Sequence, residues 1–279
     1  MRKACLILVT SLLLSFAASA TPNSETIVVC YPGGSVNVKD ANGAMNAMLR
    51  VVERVGQWPL NSFNSVFTSK ADECKKQMVE MTPKFAIISL GLYLELRTSH
   101  NLVPVVQPKI KGRTYERYRV IAQKDKYKSL DELKGLTLGG TVLEELNFIG
   151  KIVFAGKYDP ASFFVLKNSN QAIRALRSLD KGELDAVILN EQQFGGLASL
   201  QMTTPFEVIF TSEEIPLMGV AANSSITTEK ERTRFGTALE EMCSDTEGKK
   251  LCELFGVETF VFVEESLFEP VIKLWNQGK

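Results

Sequence analysis

Residues 102–140 read LVPVVQPKIKGRTYERYRVIAQKDKYKSLDELKGLTLGG, and they carry a strong signal of secondary structure. Apolar residues cluster at Leu102–Val106 and at Tyr118–Ala122, which predicts two strands. A short helix is expected after Ser129, and a further strand, Leu136–Leu138, runs into a pair of glycines. Strands that alternate with helices in this way indicate an α/β fold.

The same alternation extends in both directions from this stretch. The remaining expected strands are Thr26–Tyr31, Ser62–Phe67, Phe85–Leu90, Ser162–Leu166, Leu184–Leu189, Phe206–Phe210 and Leu217–Ala222. Helical spacing of apolar residues is found over Asp40–Val55, after Ser69, after Ser169 and through most of the last seventy residues. Repeated strand–helix units predict mostly parallel sheets flanked by helices.

The N-terminus has the pattern of a cleaved export signal. Arg2 and Lys3 precede an apolar run, and Ala18-Ser19-Ala20 supplies a small-residue cleavage site. We therefore expect a signal peptide over residues 1–20, a mature chain from Thr21 and a periplasmic location. The apolar run is shorter than the roughly 20 residues that a permanent membrane anchor needs.

Composition argues against several classes of partner. The chain has 32 basic and 32 acidic residues, so a nucleic-acid partner and an anionic membrane surface are not expected. His100 is the single histidine, and the cysteines lack zinc-ligand spacing, so neither a metal nor a cofactor is expected. The acidic pairs Glu144-Glu145, Glu213-Glu214 and Glu264-Glu265 are expected on the solvated surface.

Four cysteines remain after the signal peptide, and an oxidising compartment favours their pairing as disulfides. Three pairings are possible. Cys243 and Cys252 end one expected helix and lie inside the next, so a tight corner could join them. Cys30 ends the first strand and Cys74 lies in the helix after the second, which favours a second bridge between those two.

The stretch 102–140 also resembles the PhnD-like, phosphate/phosphonate-type periplasmic solute-binding proteins of ABC transporters. The matching features there are the LVPV strand, the Gly and Tyr that follow it and the SLDELKGLTL element. Further matches are GELDA at Gly182–Ala186 and Glu214-Ile215-Pro216 before a returning strand. Members typically carry a Ser-Thr-Ser run at the start of a second-lobe helix, whereas Gly139–Leu143 retains one hydroxyl, that of Thr141.

This resemblance implies a type II periplasmic-binding-protein fold, in which two α/β lobes are joined by two crossing strands. Lobe one would comprise residues 21–112 and 213–279, and lobe two residues 113–212. A monomer would clamp a small solute, phosphate- or phosphonate-like or another organic molecule, and deliver it to a membrane permease. The alternatives are a sensor that reports to a membrane receptor and, less favoured, an enzyme, because no catalytic motif is found.

Loops at the carboxyl ends of strands are where ligands bind in open α/β sheets. From these loops we select one set of candidate binding residues, although each could equally be a turn, cap or core residue. Tyr93 is included in this set because it resembles a tyrosine that lines the family's cleft. No arginine is in the set, so a ligand held by dipoles and hydroxyls is expected. The candidates are Tyr31, Ser69, Ser89, Tyr93, Gly140, Thr141 and Asn190.

Overall fold

The computed structural model describes residues 24–34 and 37–277. The strands are β1 (Glu25–Cys30), β2 (Phe63–Thr68), β3 (Phe85–Ile87), β4 (Leu102–Lys109), β5 (Tyr115–Glu116), β6 (Arg119–Gln123), β7 (Thr137–Gly140), β8 (Val165–Asn168), β9 (Ala186–Leu189), β10 (Phe206–Thr211), β11 (Ile215–Pro216), β12 (Val220–Asn223) and β13 (Thr259–Phe262). The helices are α1 (Val38–Val55), α2 (Ala71–Met81), α3 (Leu90–Leu96), α4 (Leu146–Phe148), α5 (Pro160–Phe163), α6 (Ala172–Asp180), α7 (Glu191–Gly196), α8 (Glu229–Met242), α9 (Thr246–Phe255) and α10 (Glu269–Asn276).

Two sheets with flanking helices form two lobes. Lobe one is built on a six-stranded sheet of order β13-β4-β12-β3-β1-β2, and lobe two on a five-stranded sheet of order β10-β6-β9-β7-β8. The chain crosses between them twice, and the crossings pair with each other through the short antiparallel strands β5 and β11. The α/β two-lobed fold expected from the sequence is confirmed.

The sheets are mixed rather than mostly parallel. In lobe one β1 is parallel to β2 and β3, but β12 runs antiparallel to both β3 and β4. In lobe two β7 is parallel to β8 and β9, while β6 runs antiparallel to β9 and β10. The antiparallel pairs involve β4, β6, β10 and β12, the strands next to the crossings, whose direction is set by the passage between lobes.

The strand expected at Phe85–Leu90 is only partly confirmed. The apolar run Phe85–Leu90 is strand only to Ile87, because Ser89 caps helix α3 by accepting a hydrogen bond from the Leu92 amide at 3.2 Å. Gly91 therefore lies within a helix and not in a turn. Ser69 caps no helix, because the residue before α2 is Lys70. The Lys70 amide donates a hydrogen bond to the Thr68 hydroxyl.

The next two corrections concern lobe two. Residues 160–163 of the expected strand Ser162–Leu166 are the short helix α5, and β8 begins at Val165. After Thr141 the chain first forms a 3-10 turn, Val142–Glu144, and the helical residues Leu146–Phe148 and Ile149–Val153 follow only after it. The start of a regular helix is therefore not available there as a binding feature.

Both favoured disulfides are confirmed. Cys30 is bonded to Cys74 and Cys243 to Cys252, each with Cα atoms 5.8 Å apart. The first bridge ties the end of β1 to helix α2, and the second closes the corner between α8 and α9. The loop that follows Cys30 is one of the loops at the junction of the lobes, so the first bridge anchors it.

Helix α10 extends lobe one across to lobe two. Trp275 accepts a hydrogen bond at its carbonyl from the Lys151 ammonium at 3.3 Å, and that ammonium lies 5.0 Å from the indole centroid. In residues 24–34 and 37–277 no helix is long and apolar enough to cross a membrane. The expected signal peptide lies outside the described residues.

Candidate functional site

The carboxyl ends of β1, β2, β7, β8 and β9 face one another across the junction of the lobes. One close approach between the lobes joins Gly33, in the loop after β1, and Thr141, after β7. A side chain at Gly33 would overlap the Thr141 carbonyl, and its φ of +75° also favours glycine. The two lobes are therefore in direct contact, and glycine at position 33 permits it.

One polar network joins three of the candidate residues. Thr141 is buried, and its hydroxyl accepts a hydrogen bond from the Gln193 side chain at 2.8 Å. The Gln193 amide in turn donates to Asn190 at 2.9 Å, and the Asn190 side chain lies beside the Tyr31 hydroxyl. The structure thus brings Tyr31, Thr141 and Asn190 together, with Tyr31 reaching over from the other lobe.

Ser89 contacts lobe two through Glu145. The Ser89 hydroxyl donates to Glu145 at 2.7 Å, and the Leu92 amide lies close to that carboxylate. The absence of a side chain at Gly91 leaves the space that the Glu145 carboxylate occupies. Burial raises the pKa of Glu145 to about 7. Glu144 and Glu145 were expected on the solvated surface, but both lie at the junction of the lobes because the chain turns inward after β7.

A second buried carboxyl lies beside the crossing strands. Glu116 accepts hydrogen bonds from the Tyr118 hydroxyl at 3.0 Å and from the Glu191 amide. Burial raises the pKa of Glu116 to about 7, and burial together with Glu116 raises the pKa of Tyr118 well above its ordinary value. Burial and Glu116 also raise the pKa of Tyr31. The inner part of the cleft is therefore acidic and well hydrogen-bonded.

We call the contact region around Gly33 and Thr141 the closed centre of the cleft. An open pocket of about 620 Å³ lies next to it, and residues of both lobes line this pocket. Lobe one contributes the loops after β1 and β2, and lobe two contributes the loop after β8 and the start of α6. Its volume is in the range of sites for small organic molecules. The lining residues are Gly33, Gly34, Ser69, Lys70, Glu144, Asn168, Ser169, Asn170 and Arg174.

Ser69 is the one candidate whose side chain lines this pocket, and the two cations of the pocket were missed. Lys70 directly follows Ser69, and Arg174 lies on α6 after the β8 loop. The rule that ligands bind at strand ends applies to the β8 loop as well, and it could have indicated Asn168–Asn170. A ligand held by hydroxyls and dipoles alone does not match a pocket that contains Lys70 and Arg174.

The remaining candidates are placed differently. Gly140 is buried within β7, where a side chain would lie 2.7 Å from the Ile188 carbonyl. Tyr93 is fully buried in lobe one, with its ring 5.6 Å from that of Phe268. Burial and the charge of Glu265 raise the pKa of Tyr93 to about 12. Tyr93 therefore does not face Thr141 across the cleft, although both were selected as cleft residues.

The described residues contain no group of three or more His, Cys, Asp or Glu side chains arranged to hold a metal ion. Two lobes that close on a pocket walled by both define the class of two-lobed solute-binding proteins. Solved structures have the same fold. Their sequence identities to this chain are low, so they support the fold alone.

Three similar structures illustrate the fold. A binding protein component of an ABC phosphonate transporter from Pseudomonas aeruginosa has a TM-score of 0.69 at 17% identity, over 90% of this chain and 86% of that one. A Xanthomonas citri protein bound to ATP has a TM-score of 0.68 at 11% identity, over 90% and 96%. PhnD1 from Prochlorococcus marinus in complex with methylphosphonate has a TM-score of 0.65 at 12% identity, over 90% and 97%.

The sequence itself identifies the family. The family described as "ABC transporter, phosphonate, periplasmic substrate-binding protein" matches residues 32–268. The chain belongs to this family of periplasmic substrate-binding proteins. No curated protein matches the sequence.

Proposed function

We propose that this protein binds a small solute bearing an oxyanion in the pocket between its lobes and presents it to the permease of an ABC transporter. The observation that carries the proposal is the pocket of about 620 Å³, which lobe one and lobe two wall together. A solute there contacts both lobes at once, so its binding favours the closed arrangement over the open one. The closed form is then what a permease recognises.

Several finer points belong to this proposal. Residues 1–20 are removed after Ala20, and the mature protein acts as a monomer in the periplasm. Lobe one comprises residues 21–112 and 213–279, and lobe two residues 113–212, with the β5–β11 pair between them. The description of the family supports delivery to a transporter over reporting to a receptor. The protein performs no catalysis in this role.

A thermal-shift screen of the purified mature protein tests the class of solute. Inorganic phosphate, methylphosphonate, a sulfonate, ATP and L-glutamate are compared at matched ionic strength. A solute that binds only the folded state raises its stability, by about 2.7 kcal/mol at a hundred times Kd. We expect at least one phosphorus oxyanion to raise the melting temperature and L-glutamate to leave it unchanged. A rise with L-glutamate alone would contradict the proposed class.

A further inference from the structure

An ion pair across the pocket joins the two lobes. The ammonium of Lys70, the residue before α2, lies 2.6 Å from the Glu144 carboxylate in the turn after β7. Lys70 is 67% exposed and Glu144 is 19% exposed. Ion pairs in contact with water contribute little to stability, because water and salt screen them. The counterion of Lys70 can therefore be exchanged for another anion at little cost.

Arg174 supplies a second positive charge to the same pocket. It is exposed at the start of α6, and within the described residues no carboxylate lies at ion-pair distance from it. A guanidinium offers several donors in a planar fork that suits phosphate and phosphonate oxygens. Ser69, Asn168 and Asn170 line the same pocket, and their hydroxyl and amide groups are uncharged hydrogen-bond donors.

We propose that Lys70 and Arg174 hold the oxyanion of the solute, and that Glu144 is the internal anion that the solute displaces from Lys70. The inference rests on the proposed function and specifies which residues select the ligand. In the pocket without solute, Glu144 neutralises one of the two cations. A bound oxyanion neutralises Lys70 in place of Glu144 and also contacts Arg174. Because two positive charges then face the ligand, the site prefers a doubly charged group.

The closed centre of the cleft is a poor place for an oxyanion. The Thr141 hydroxyl is already bonded to Gln193, and the Thr141 carbonyl packs on Gly33. The carboxyl groups of Glu116 and Glu145 lie at the same junction, and neither offers a positive charge to a negative group. The volume of about 620 Å³ also exceeds what a methylphosphonate needs, so we infer a phosphate or phosphonate group carried by a larger organic body.

Calorimetric titration of inorganic phosphate, methylphosphonate and ATP into single variants tests this assignment. Lys70→Met and Arg174→Met should each weaken binding about tenfold or more, because each removes charge-assisted hydrogen bonds. Glu144→Gln should tighten binding severalfold, because the amide still contacts Lys70 but no longer competes as an anion. A purely structural tie between the lobes predicts the opposite sign for Glu144→Gln.

Matched controls are available on helices α2 and α6. Lys76→Met on α2 and Arg177→Met on α6 remove the same charges outside the pocket and should leave affinity unchanged. Melting temperatures confirm that each variant folds. If the wild type binds and the pocket variants match their controls, the assignment is overturned while the proposed function stands. If the wild type binds none of the three probes, both are overturned.

Discussion

At the scale of single residues, the cleft contains charged side chains whose position there the neighbouring sequence did not indicate. Glu144 and Glu145 are adjacent acidic residues, a pattern that is typical of solvated surface. Glu145 instead bonds Ser89, and Glu144 pairs with Lys70, over 56 and 74 residues of chain respectively. Contacts at such separations depend on how the lobes close, and no local pattern encodes them.

The candidate binding residues differ in whether the order of elements or the packing of the lobes determines their position. Tyr31, Thr141 and Asn190 were found by the strand-end rule, because the carboxyl ends of strands follow directly from the order of elements. Tyr93 was chosen by resemblance, and its burial against Phe268 depends on packing within lobe one. Lys70 is a neighbour of the candidate Ser69, but its role became visible only with its partner from lobe two.

The two buried carboxyls lead to a prediction about pH. The pKa of Glu116 and that of Glu145 are each raised to about 7 from an ordinary 4.5. Between these pH values the folded protein binds more protons than the unfolded chain, so the free energy of unfolding falls as the pH rises. Substitution of both by Gln keeps the acceptors for Tyr118 and Ser89 but removes the titration.

We therefore expect the wild type to be less stable at pH 7.5 than at pH 5.5, and the Glu116→Gln/Glu145→Gln variant to lose less stability over that interval. Urea denaturation at a series of pH values measures both slopes. Equal slopes for the two proteins would show that these carboxyls do not titrate in this range.

At the scale of secondary-structure elements, most helices and strands could be located from apolar periodicity. The exceptions are short. The run from Phe85 is apolar through strand and helix alike, so the boundary set by the Ser89 cap does not stand out in the pattern. The chain after Thr141 begins with the 3-10 turn Val142–Glu144, and the helical residues that follow start only at Leu146.

The disulfides give a prediction at this scale. Removal of a bridge restores entropy to the unfolded chain in proportion to the logarithm of the loop length. The loops span 44 residues for Cys30–Cys74 and 9 for Cys243–Cys252. Paired replacement by alanine should cost about 4 kcal/mol for the first bridge and about 2.5 kcal/mol for the second. Chemical denaturation measures both losses, and a larger loss for Cys243–Cys252 would contradict the estimate.

At the scale of the whole molecule, the order of strands and helices was enough to predict two lobes and their connection. The direction of individual strands was not, because the strands at the crossings pair antiparallel with their neighbours. The contact of α10 with lobe two was also not foreseen. Such contacts arise from the arrangement of the lobes, which the order of elements along the chain leaves open.

The central claim is that one solute binds between the lobes in the pocket walled by both. Two bulky substitutions, Ser69→Trp from lobe one and Asn170→Trp from lobe two, would fill this pocket from opposite sides. Asn64→Trp, on the exposed face of β2 and outside the pocket, is the matched control.

Calorimetric titration of these three variants and the wild type with phosphate, methylphosphonate and ATP tests the claim directly. We predict one binding site per wild-type chain for at least one of the three probes. Ser69→Trp and Asn170→Trp should each abolish that binding, and Asn64→Trp should retain it. Unchanged binding in either pocket variant would contradict a site shared by the two lobes.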